Sequence, residues 1–146
     1  MKCASTVFLR IGAISSIVLT VLFASLTGVF FAFGLGFSDI IKQAIESGEI
    51  VTDVENVELA VQVVQSLFVT LGVVFAIFTL LYLANAILGM RSVGHPSRGL
   101  LITVIVIGFG SGMEFTAVGA ILGLIAFKRG LIKPVVKAKK AKKEKK

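Results

Sequence analysis

The 27 residues from Ile11 to Phe37 contain no charged side chain, and their few polar positions are serines and threonines. The run exceeds the roughly 20 residues that cross a bilayer as a helix. It is also too long for the roughly 7–15-residue core of a signal peptide. It predicts an uncleaved anchor helix over Val7–Phe37. The pattern changes at Ser38, where Asp39, Lys42 and Glu46 alternate with Ile40, Ile41, Ala44 and Ile45. That spacing predicts a short amphipathic helix over Asp39–Ser47, capped by Ser38 and closed by Gly48. Thr52-Asp53-Val54-Glu55 then reads as a capping box, with Val54, Val57, Val61 and Val64 following at helical spacing. A second helix is predicted over Asp53–Leu88, about 54 Å long and long enough to stand beyond the membrane at its outer end. Gly89–Arg98 reads as an inner loop.

Residues 99–127 carry one charge, Glu114. A single helix there would be about 44 Å long against a hydrocarbon core of about 30 Å. It would also set Glu114 near mid-bilayer at ~2.5–3.5 kcal/mol or more. The other reading is a hairpin turning at Gly108, Gly110 and Gly112, where three glycines and Ser111 form a strong turn signal. Its arms reach only about 20–23 Å, although the second can borrow Leu131 and Ile132. The hairpin puts Glu114 at the outer surface.

Charge decides between them. Six of the eight acids (Asp39, Glu46, Glu49, Asp53, Glu55, Glu58) lie in the first loop, which with Lys42 carries 1 − 6 = −5. From Lys128 onward ten basic residues and Glu144 give 10 − 1 = +9. Positive segments stay on the cytoplasmic side. Both termini and the Arg91–Arg98 loop are therefore expected inside and the acidic loop outside. The expected fold is an all-α integral membrane bundle of four membrane helices, the last two a tight hairpin, with three membrane helices as the alternative. A membrane domain over 1–133, with an outer acidic loop at 38–58, precedes a lysine-rich tail at 134–146.

Composition supports the membrane class. Hydrophobic residues make up 56%, with 15 glycines besides, and charged residues only 16%, against about 25% in an ordinary soluble domain. Cys3, His95 and Tyr82 are each the only residue of their kind, and tryptophan is absent. Intrachain disulfides, thiol-redox pairs, paired-histidine haem or metal sites and aromatic cages are thereby excluded within one chain. No cofactor and no metal is expected. Cys3 lies outside any lipobox and is expected to be an inert thiol, and His95 is expected to be solvated.

An anchor helix, an acidic outer loop with a short helix, a long second helix and a basic inner loop thus lead into a Gly/Leu/Ile-rich hairpin. That hairpin ends Gly119-Ala-Ile-Leu-Gly-Leu-Ile-Ala-Phe-Lys-Arg129. The arrangement resembles small four-helix integral membrane proteins of unknown function from Gram-positive bacteria. The resemblance implies a bacterial plasma membrane and no known activity, and carries over no functional residue.

Four constellations remain. Gly12, Ser16, Thr20, Ala24, Gly28, Ala32 and Gly36 are small and fall at every fourth position of helix 1. In lipid, close backbone approach drives helix association, so this row predicts a packing seam within the chain or between chains. Gly119 and Gly123 form a shorter pair of the same kind. Tyr82 and Asn85 are intramembrane polar residues, with Asn85 expected to join helices by hydrogen bonds rather than line a polar path. Glu114 is expected to be an outward turn residue, not a proton or cation site. Lys137, Lys139, Lys140, Lys142, Lys143, Lys145 and Lys146 are expected to bind the anionic inner leaflet, each contributing roughly 1 kcal/mol. The expected partners are lipids and a membrane protein or a second copy of the chain, with no nucleic acid. The function expected is a non-enzymatic accessory or regulatory membrane protein. The alternative is a holin-like pore former, for which helix 1 offers only a thin polar stripe.

Overall fold

The computed structural model describes residues 2–48 and 54–132, and the described residues are helical apart from short connections. Four helices follow one another: α1 Lys2–Glu46, α2 Val54–Gly94, α3 Arg98–Gly110 and α4 Glu114–Lys128. The first two are long and apolar enough to cross a membrane.

α1 is continuous where two helices were expected. Ser38 caps nothing, because no glycine or proline interrupts the backbone there and the buried face continues past the change in polarity. Phe23, Thr27, Phe30, Gly34, Phe37, Ile41 and Ala44 are each buried or half-buried and are spaced alternately four and three residues apart. Asp39, Lys42 and Glu46 sit on the exposed side of the same helix. Four of its hydroxyls donate within the helix. Ser16, Thr20, Ser25 and Thr27 donate to the carbonyls of Gly12, Ser16, Val21 and Phe23 at 2.7–2.9 Å, which removes most of the cost of a hydroxyl in an apolar setting. Gly48, at φ 76°, ends the helix as expected.

α2 runs six residues past its expected end, because Gly89 packs inside it instead of opening a loop; its expected start at Asp53 lies outside the described residues. The connection to α3 is only residues 95–97, with the Ser97 hydroxyl accepting from the Leu100 N–H at 3.3 Å. The acidic segment is likewise mostly helix, since Asp39, Glu46 and Glu58 are helical; Glu49 and Asp53 lie outside the described residues.

Residues 99–127 are two helices. Gly108 and Gly110 belong to α3, and the turn is Ser111-Gly112-Met113, where Gly112 takes φ 72°. The Met113 N–H reaches back to the Gly108 carbonyl at 2.7 Å, the six-to-one bond that closes a helix over a left-handed glycine. α4 ends the same way, with Gly130 at φ 71° and Leu131 N–H on Ala126 O at 3.0 Å.

The chain divides into two compact units, Met1–Thr20 with Leu80–Lys146, and Val21–Thr79. In the second, α1 and α2 pack antiparallel through aromatic ring contacts, mostly tilted. Phe30 lies 5.1 Å from Phe75 and 5.9 Å from Phe68, Phe23 5.4 Å from Phe75, and Phe37 6.1 Å from Phe68. Gly34 and Gly72 allow this approach: a Cβ on Gly34 would lie 3.1 Å from Val69 Cγ2, and one on Gly72 3.2 Å from the Phe31 ring. In the first unit, the ends of α1 and α2 receive the α3–α4 hairpin around Leu9, Leu101, Val104 and Ala120.

Candidate functional site

Three buried polar residues of the first unit, Ser16, Asn85 and Thr116, converge where α1, α2 and α4 meet. Gly12 has no side chain, so the α4 backbone comes against α1. A Cβ there would collide with the Thr116 hydroxyl and lie 2.8 Å from the Thr116 nitrogen. One turn on, the Ser16 hydroxyl donates to the Gly12 carbonyl at 2.8 Å and accepts from Asn85 Nδ2 at 2.8 Å. The second Nδ2 proton goes to Thr116 Oγ1 at 3.2 Å. Ser16, Asn85 and Thr116 are each 0% exposed. Asn85 Oδ1 is buried without a hydrogen-bond partner, a cost of about 1–3 kcal/mol that the rest of the junction must offset. Asn85 thus joins three helices. Tyr82, one turn away, is buried at 8% exposure.

Below this junction α4 runs antiparallel to α1. Gly119 faces Leu9 and Phe8, and Gly123 faces Ser5, whose hydroxyl donates to the Gly119 carbonyl at 2.8 Å. The Gly119/Gly123 pair is therefore a contact surface for α1. On α2, Gly89 faces Ala13 and Leu9.

The seven-residue row of α1 does not make one seam within the chain. Gly12 and Ser16 are buried and Thr20 is half-buried, but Ala24, Gly28 and Ala32 are exposed. Gly36 is half-buried, and a Cβ on Gly28 or Gly36 would meet nothing within 4 Å. Positions four apart advance about 40° around a helix with each step, so by Gly28 the row faces away from where it began. The stripe that packs repeats every seven residues. It was legible as Phe23, Phe30 and Phe37 on α1 and Phe68, Phe75 and Tyr82 on α2, all seven apart, a coiled-coil spacing that composition and small-residue rows did not reveal.

Glu114 opens α4 and is exposed, on the face opposite Thr116, Gly119, Ala120 and Gly123. Arg10 and Arg91 are exposed too. At the hairpin base the Arg98 guanidinium stands 6.0 Å from the Phe127 ring centroid, an arrangement suited to a membrane interface. Cys3 is a free, exposed thiol. The seven lysines of the tail lie outside the described residues. In the second unit an open cleft of about 260 Å³ lies between the end of α1 and the start of α2, floored by Ile41, Ile45, Val57 and Val61 and edged by Lys42 and Glu58. No family model, curated protein or solved structure matches the chain.

Proposed function

We propose that the chain is a non-enzymatic integral membrane protein of four membrane-embedded helices, with an accessory or regulatory role exerted through helix packing and its acidic outer end. α1 and α2 cross the bilayer, both termini lie inside, and the α3–α4 hairpin enters and returns on the inner side. The observation that carries this reading is exposure. Only 6% and 11% of the most apolar stretches of α1 and α2 are buried. A soluble protein would hide such faces, whereas lipid is their natural solvent. The hairpin arms have 13 and 15 residues, about 20 and 22 Å, and fall short of a core of about 30 Å. A hairpin that dips part-way fits these lengths better than two full crossings.

A pore former needs a polar stripe facing a lumen. On α1 the hydroxyls of Ser16, Thr20, Ser25 and Thr27 bond their own helix carbonyls and that of Ser5 bonds the Gly119 carbonyl inside the bundle, which supports an accessory role over a lesion former. Orientation is tested with an impermeant thiol reagent on intact cells after Cys3→Ser. Glu46→Cys should be labelled and Ala141→Cys should not. The reverse pattern refutes the orientation, and release of the protein from membranes by alkaline carbonate refutes the membrane reading itself.

A further inference from the structure

We infer that Glu114 is one half of an intermembrane-helix ion pair whose other half is Arg10 of a second copy of this chain. The inference rests on the membrane placement proposed above. Depth within the first unit can be read from its contacts. Thr116 lies against Gly12, Gly119 against Leu9 and Gly123 against Ser5. Continuing that antiparallel ladder by two residues sets Glu114 level with about residue 14 of α1, some 6 Å along the axis from Arg10. In the other direction, no charged residue follows Arg10 on α1 until Asp39. Glu114 is therefore flanked by hydrocarbon on the outer side, and its nearest level of opposite charge is that of Arg10.

Both side chains are exposed, and neither makes an ion pair among the described residues. Glu114 points away from the bundle, with Val118 and Ile121 exposed beside it, and Arg10 projects among Val7, Ile11 and Ile14, exposed as well. A lone carboxylate or guanidinium facing lipid is costly and calls for a partner. Helices associating about an axis normal to the membrane keep each residue at its own depth, so two copies bring this acid and this base to nearly the same level, and a long arginine side chain spans the remainder. Arg91 shares that level, since Gly89 faces Leu9 and Ala13. It stands three residues from the end of α2, where the exposed loop at 95–97 gives it access to headgroups, and so it has less need of a partner. The pairing closes as a twofold dimer when each copy's Arg10 meets the other's Glu114, and as a ring when each copy gives its acid to one neighbour and its base to the next.

The test is thiol cross-linking of the full chain in membranes, with Cys3→Ser as background, by a membrane-permeant bis-maleimide that matches the reach of an arginine–glutamate pair, since Cα atoms more than about 7 Å apart cannot close a disulfide. The double variant Arg10→Cys/Glu114→Cys should give cross-linked multimers, while either single variant stays monomeric. A double variant that also stays monomeric, or that is bridged only within one chain, overturns the proposal. Charge reversal gives a second measure. Glu114→Arg should lose the multimer seen by mild-detergent chromatography, and Glu114→Arg/Arg10→Glu should recover it. A multimer unchanged in Glu114→Arg overturns the pairing while leaving the membrane placement standing. Labelling of Glu114→Cys by an impermeant reagent from the outer side would instead overturn the placement itself.

Discussion

At Gly12 and Gly28, the same residue in the same helix has opposite consequences. Gly12 carries one of the two closest backbone approaches among the described glycines, with Thr116 N at 2.8 Å and Thr116 Cα at 2.9 Å from where a Cβ would be. Gly12→Leu should lower stability by at least the ~1–3 kcal/mol typical of overpacking, read as an earlier transition on heating in mild detergent. Gly28→Leu should leave the isolated chain's transition unchanged, since nothing lies within 4 Å of a Cβ there. A matching loss at Gly28 would mean that a second chain covers that face. Asn85 gives a separate prediction. Asn85→Ala removes two hydrogen bonds but also an unpartnered carbonyl oxygen, so the net loss should be modest, about 0.6–2 kcal/mol. A double cycle with Thr116→Val should show coupling between the two positions; strict additivity would mean that the 3.2 Å bond contributes nothing. The importance of Asn85 was legible in the sequence as a lone amide in an apolar run. Its partners were not, because Ser16 and Thr116 lie 69 and 31 residues away and only packing brings them together.

At the scale of elements, the helices were legible and several of their ends were not. Gly48 and Gly112 were read correctly as stops because a left-handed glycine relieves a real backbone need, whereas Gly108 and Gly110, also assigned to the turn, belong to α3. Ser38 and Gly89 were misread because cap residues and glycines can also sit inside a helix when the packed face continues through them. The seven-residue repeat of aromatic rings shows that continuity, with Phe23, Phe30 and Phe37 opposed to Phe68 and Phe75. In lipid these rings gain little by leaving their solvent, so their contribution is mostly contact between rings, about 0.5–1.5 kcal/mol per pair. Phe30→Ala, which loses pairs with both Phe68 and Phe75, should therefore destabilise the second unit by about 1–3 kcal/mol. Phe33→Ala, half exposed and paired with Phe68 alone, should cost about half as much. The check is protease susceptibility of α1 and α2 in mild detergent. Equal susceptibility of the two variants would show that the repeat is not what holds the pair.

For the whole molecule, charge and arm length together set how far residues 98–128 reach into the bilayer. Charge and arm length gave competing answers in the sequence: the basic tail required a return to the inner side, yet arms of 13 and 15 residues are too short to cross and return. The contacts offer a way out. Thr116, three residues past the turn, lies against Gly12 of α1, only two residues past Arg10, so a hairpin can satisfy the tail without reaching the far surface. Its backbone ends are closed by their own six-to-one bonds at Met113 and Leu131, which lets a turn sit in an apolar setting with few free polar groups. The exposed apolar side chains of the hairpin, Ile102, Val106 and Phe109 on α3 and Phe115 on α4, continue to its tip, as they should if the tip stays in hydrocarbon. Gly110 is exposed on the last turn of α3, and Gly110→Cys in a Cys3→Ser background reports on that position. It should resist impermeant thiol reagents added to intact cells and to inside-out vesicles alike, while a small membrane-permeant maleimide should still react. Labelling from the outer side would make the arms full crossings by thinning the bilayer, at a fraction of a kcal/mol per Å of mismatch. Labelling from the inner side alone would mean that water follows the hairpin inward, and would give Glu114 an aqueous path to the cytoplasmic side in place of a partner chain.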